Sequence, residues 1–89
     1  MRTYIVTYEI NDQIRKDTVK KILQAYESYC PILENACAII TLKRDLEIVQ
    51  DINDTLISED RLFVMETKKN ASWVNTYGEE HSEWLVNNL

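Results

Sequence analysis

The sequence predicts a single α+β domain, an antiparallel sheet with two helices on one face and a further helix at the C-terminus. Three observations carry this. Runs of β-branched and aromatic residues with two-residue alternation recur along the chain, as in "TYIVTYEI", "ACAIITL" and "RLFVMETK". Between them lie segments whose apolar residues repeat with helical spacing. One Gly and one Pro in 89 residues leave little room for linkers or disorder. No repeat or composition shift divides the chain. It reads as one domain over residues 1–89, with a C-terminal extension from about residue 70.

The first strand places Tyr4, Val6, Tyr8 and Ile10 on one face and Thr3, Ile5, Thr7 and Glu9 on the other. Both faces are partly apolar, so this strand is expected at the centre of the sheet, covered on each side. "NDQ" breaks it, and Asp12 is placed to cap the next element. From about Gln13 to Tyr29, residues Val19, Ile22, Leu23 and Tyr26 form one helical stripe. Pro31 is expected to stop that helix by restricting the residue before it.

"CPILENACAIITLK" reads as two short strands, about Ile32–Leu33 and about Ala36–Leu42, around a turn at Glu34-Asn35. Asn35 suits a turn position with positive φ. The small residues of the second strand suggest close approach of a helix or another chain. Asp45 is a candidate N-cap for "LEIVQDINDTLI", with Val49, Ile52 and Leu56 inward and Glu47, Asp51 and Asp54 outward. "RLFVMETK" is the last strand, with Leu62 and Val64 opposite Phe63 and Met65. In the tail, Gly78 is expected to supply a bend. A helix from about Glu79 to Asn88 then aligns His81, Trp84, Leu85 and Leu89. Trp73, Val74 and Tyr77 precede it and need cover.

The order β-α-β-β-α-β is that of a split βαβ, ferredoxin-like sandwich, here with an added C-terminal helix. Both main helices cover one sheet face, which leaves the face carrying Ile5 open. Such a face implies a partner, and a two-fold homodimer is the commonest solution. Alternatively the C-terminal helix covers it within the same chain. Ile5, Trp73 and Trp84 are the candidate interface residues.

Charge and cysteine content narrow the function classes. The net charge is −5, unevenly spread. Residues 1–44 hold seven Lys/Arg and five Asp/Glu, whereas residues 45–89 hold three and ten. An acidic chain repels nucleic acid at long range, so binding needs a local basic patch. Arg15, Lys16, Lys20 and Lys21 on the first helix are the candidates. Lys43 and Arg44 with Lys68 and Lys69 form a second patch. The acidic second half suits a basic partner protein. Cys30 and Cys37 fit no zinc spacing and read as buried thiols in a reducing compartment. No apolar run approaches the roughly 20 residues of a membrane span. The N-terminus has no signal-peptide pattern, so no membrane and a cytoplasmic location are expected. A lone His81 makes no triad, and one glycine makes no phosphate-binding loop.

"TYIVTYEI", the basic first helix, "PILENACAIITLK", the acidic second helix and "EDRLFVMETK" together resemble the CRISPR-associated Cas-two and VapD-like superfamily. The likeness spans nearly the whole chain. It is closest to the stand-alone, SinR-like branch, where the last strand runs into segments like "NASW" and "EEHSEWLVNNL". The resemblance implies a ferredoxin-like homodimer. Some members are divalent-metal-dependent nucleases that cut RNA or DNA, and others bridge partner proteins around nucleic acid. In active members an Asp follows a Tyr at the end of the first strand, and two such acids, one per subunit, hold the ion. Tyr8 matches the Tyr, and Glu9 stands where the Asp would be. The resemblance thus makes Glu9 the candidate catalytic acid, and Glu9 with Asp12 the candidate ligands of Mg²⁺ or Mn²⁺. Glu is one methylene longer than Asp, which shifts the carboxylate by about a bond length. Catalytic placement tolerates only about 0.5 Å. The expectation is a nucleic-acid-associated homodimer with a degenerate endonuclease site, or else an acidic homodimeric adaptor or inhibitor of a partner protein.

Overall fold

A computed structural model describes residues 1–68 and 71–89. Strand β1 (Arg2–Glu9) leads through the Asp12 cap into helix α1 (Gln13–Gln24). Strands β2 (Ser28–Leu33) and β3 (Ala36–Thr41) form a hairpin. Helix α2 (Asp45–Asn53), strand β4 (Arg61–Glu66) and helix α3 (Glu79–Asn88) complete the chain. The four strands make one antiparallel sheet in the order β2-β3-β1-β4. This α+β architecture is compatible with a ferredoxin-like fold. Strand β1 is central, as its two apolar faces predicted. Among the described residues no helix is long and apolar enough to cross a membrane.

One sheet face carries the larger core. Tyr4, Val6, Tyr8 and Ile10 of the β1 segment and Cys37 and Ile39 of β3 pack against Val19 and Leu23 of α1 and Ile48 and Ile52 of α2. The Tyr4 hydroxyl, buried with its ring, donates to the Lys43 carbonyl at 2.8 Å. A second, smaller core lies on the opposite face. There Leu85 of α3 meets Cys30 and Ala38, flanked by Ile5, Ile32, Trp84 and Leu89. The small side chain of Ala38 lets α3 sit close to the sheet, the approach that this strand's small residues suggested. Helix α3 covers the β2–β3 side of this face and reaches β1, where Ile5 packs on its core and the Thr3 hydroxyl donates to the Asn88 carbonyl at 3.4 Å. On β4, Phe63 and Met65 remain 62% and 51% exposed.

Several boundaries differ from the sequence reading. Helix α1 ends at Gln24, short of Tyr29. Ser28, Tyr29 and Cys30 pair instead with Ile40, Ile39 and Ala38, a ladder that helical continuation would forfeit. Pro31 therefore lies inside β2. An edge strand tolerates it, and the pairing is irregular between Pro31 and Leu33. Asn35 does not take positive φ; Asn75 does, at 58°. Asp45 is the first residue of α2, and Arg44 is the N-cap. The Arg44 backbone N–H donates to the Glu47 carboxylate at 3.0 Å. Ile48 joins Ile52, one turn on and on the same face, as the buried pair of α2, which ends at Asn53. Leu56 packs on the core from beyond the helix end, and Val49 is only half-buried. Helix α3 keeps its expected bounds, with Gly78 at φ 151° before it. Val74 and Tyr77 stay exposed.

Candidate functional site

The strand ends that carry Glu9 are held by cross-strand register. Glu9 lies opposite Arg61 in the β1–β4 ladder, and the Arg61 guanidinium donates to the Glu9 carboxylate. Both side chains are exposed, 63% for Glu9 and 79% for Arg61. Such a pair adds little to stability. It does place a permanent cation on the carboxylate. Beside it lies a cavity of about 600 Å³ lined by Thr7, Tyr8, Glu9, Asp60, Arg61, Leu62 and Phe63. Burial pushes the Tyr8 hydroxyl up to about 12, so it stays protonated and offers a hydrogen bond.

Asp12 does not turn toward Glu9's partner. Its carboxylate accepts the Arg15 backbone N–H at 2.9 Å, as an N-cap should. Arg15 in turn commits its part-buried side chain to an intramolecular pair. Its Nε and one terminal nitrogen donate to Asp60 at 2.9 and 3.1 Å, and the Ile57 N–H donates to the same carboxylate at 3.0 Å. The Asp60 side chain is only 2% exposed. This clamp ties the loop before β4 to the first turn of α1. The Arg15 hydrogen bond, followed by the Ile57 N–H, holds the Asp60 carboxyl below its ordinary pKa. A depressed carboxyl stabilises the fold fully above the ordinary aspartate range. That contribution is lost as pH falls through this range toward the folded-state value. Asp60→Asn is therefore expected to lower the melting temperature at neutral pH and to flatten the loss on acidification. Thermal melts between neutral and strongly acid pH check this; an unchanged acid limb contradicts it.

Lys16 and Lys20 share a face of α1, with Lys21 beside them. None of the three has an ion-pair partner among the described residues. Lys20 also lines a cleft of about 370 Å³ with Gln24, Tyr29, Pro31, Leu33, Glu34 and Tyr77. In the second basic patch Lys43 is engaged, and Arg44 is exposed. Lys43 Nζ donates to Asp51 at 2.7 Å, shares that carboxylate with the Tyr26 hydroxyl, and sits 5.8 Å above the Tyr26 ring. Lys68 is exposed, and Lys69 lies outside the described residues. Of the candidate interface residues, Ile5 and Trp84 are half-buried in the α3 core. The Trp84 Nε1–H donates to Ser28 Oγ at 2.8 Å, and Trp73 is 36% exposed. Cys30 and Cys37 are both free and buried. Burial raises the Cys30 thiol and pushes the Cys37 thiol up to about 12, so both are poor nucleophiles. His81 Nδ1 lies 3.9 Å from Cys30 Sγ at the edge of the α3 core.

Among the described residues no three Asp, Glu, His or Cys side chains form a group able to hold a metal ion. Glu9 already faces a guanidinium, and Asp12 is turned to the helix end. Sequence reasoning missed Arg61 and Asp60. Each meets its partner across 52 and 45 residues of chain, and only the β1–β4 register and the loop path reveal it.

No family model matches the chain, and no curated protein matches it. Among solved structures it is similar to the crystal structure of a hypothetical protein, TT1823, from Thermus thermophilus. The two share 19% sequence identity at a TM-score of 0.72, over 84% of this chain and 92% of the other. That likeness speaks for the fold alone.

Proposed function

We propose that this chain is a ferredoxin-like, Cas-two-like homodimer that associates with nucleic acid and has lost phosphodiester-cutting metal chemistry. Read from its other edge, the sheet order is β4-β1-β3-β2, in which two interleaved βαβ units share one sheet. The observation that carries the nucleic-acid reading is the lysine stripe of α1. In a chain of 15 acidic and 10 basic residues, Lys16, Lys20 and Lys21 stand on one helix without acidic partners among the described residues. The adjoining cleft adds Tyr77, an exposed ring suited to stacking on an unpaired base. Loss of cutting follows from the Arg61 guanidinium on Glu9, which repels a cation there.

Titration of labelled single-stranded RNA and duplex DNA tests this. About three phosphate contacts give a salt slope near −2 on logarithmic axes for a single strand. Lys16→Glu with Lys20→Glu is expected to abolish binding in low salt without unfolding the chain. Equal affinity of that variant and the wild type overturns the lysine stripe as the contact.

The acidic second half favours a second reading, a homodimeric adaptor for a basic protein. Glu47, Asp54, Glu79 and Glu83 are all exposed on or beside α2 and α3. Stoichiometric capture of one basic protein, undisturbed by the α1 substitutions and without nucleic-acid binding, selects this reading over the first.

A further inference from the structure

The two edges of the sheet are built differently. Strand β2 carries Pro31 and an irregular pairing beyond it, features that blunt an edge against further strands. Strand β4, "RLFVME", has no proline, and among the described residues it pairs along one side, with β1. Its open face presents Phe63 and Met65 to solvent.

The hydrogen-bond phase of β4 is fixed by Thr67, whose N–H donates to the Thr3 carbonyl at 2.9 Å. In an antiparallel ladder the bonded positions alternate. Arg61, Phe63 and Met65 therefore turn their backbone groups to β1. Leu62, Val64 and Glu66 turn theirs outward.

We propose that a second copy of this chain pairs with β4 along that edge, antiparallel, about a two-fold axis at Val64. The two sheets then become one continuous sheet. This rests on the homodimer reading above and assigns its surface. With the axis at Val64, Leu62 exchanges hydrogen bonds with the partner's Glu66, and Val64 with the partner's Val64. Only outward-facing groups are used. An axis at Phe63 would pair Glu66 with the partner's Asp60, an N–H already given to the Ile57 carbonyl at 3.0 Å. The Val64 axis also sets Phe63 against the partner's Met65 on the open face, a sulfur–aromatic pair. Charge favours the antiparallel sense. Exposed Lys68 comes to the end of the partner that carries exposed Glu59. A parallel pairing would set like ends together.

Proline at an outward position tests this, because it removes a donor that no backbone bond uses among the described residues. By sedimentation equilibrium the wild type is expected at twice the 10.5 kDa chain mass. Val64→Pro and Glu66→Pro are each expected at the single mass, with the far-ultraviolet spectrum unchanged. A Phe63→Cys/Met65→Cys variant, oxidised with copper phenanthroline, is expected to give a covalent dimer. That variant also decides the matter should the proline variants fail to fold. A dimeric wild type whose folded proline variants remain dimeric, or whose cysteine variant does not cross-link, overturns the β4 surface and leaves the homodimer reading standing. A wild type at the single chain mass overturns both.

Discussion

Ile39→Ala is expected to destabilise the fold by about 2–5 kcal/mol, measured as the change in unfolding free energy in urea. Ile39 is fully buried in β3, opposite Tyr4 of β1 and Tyr29 of β2. It sits in the core that Val19, Leu23, Ile48 and Ile52 close from above. Truncation removes three methyl or methylene carbons from water-excluded surroundings. It also leaves a cavity that the two flanking tyrosines are too stiff to fill. Small domains hold only about 5–15 kcal/mol in total, so this one side chain carries a large share. Val49→Ala, on the half-buried side of α2, serves as the comparison and is expected to cost far less. Similar losses for the two substitutions would contradict the placement of the core between the sheet and the helices α1 and α2.

Leu85→Ala is expected to remove about 2–5 kcal/mol as well, but locally. Leu85 is the buried residue of α3 and is 2% exposed. It seats the helix on Cys30 and Ala38, while the larger core lies across the sheet and does not touch α3. Opening of α3 therefore precedes global unfolding. Two signals separate this from a general loss of stability. Trp84 emission shifts to the red as its ring and its bond to Ser28 are released. Cys30 becomes reactive to a thiol reagent in native buffer, while Cys37, shielded under α1 and α2, does not. Simultaneous labelling of both cysteines in Leu85→Ala would contradict a separately docked helix.

The sequence showed these layers through periodicity. The alternation of Tyr4, Val6 and Tyr8 against Ile5 placed β1 in the middle of the sheet, and it lies there between β3 and β4. The stripe of His81, Trp84, Leu85 and Leu89 identified α3. Other features were hidden for physical reasons. Residues 25–29 have no breaker before Pro31, so local propensity extends α1. The β2–β3 ladder, a tertiary influence, ends it at Gln24. Asp45 has good capping chemistry, yet Glu47 reaching back to the Arg44 N–H moves the cap one residue earlier. The site was legible only in part. Tyr8-Glu9 could be seen at a strand end, and Asp12 as a cap. That Glu9 meets Arg61, and that Arg15 turns inward to Asp60, depends on chain-distant register that no local pattern encodes. The same register altered the meaning of the basic helix. Arg15 belongs to a clamp with Asp60, whereas Lys16, Lys20 and Lys21 have no ion-pair partner among the described residues.

The central claim is that the strand-end carboxylate has been taken over by an arginine and no longer supports cutting. Incubation of the wild-type protein with structured RNA and with duplex DNA, in Mg²⁺ or Mn²⁺ and in chelator, tests it most directly. The expected result is bound but full-length nucleic acid in every condition. Cleavage that needs the metal and disappears in Glu9→Ala would contradict the account.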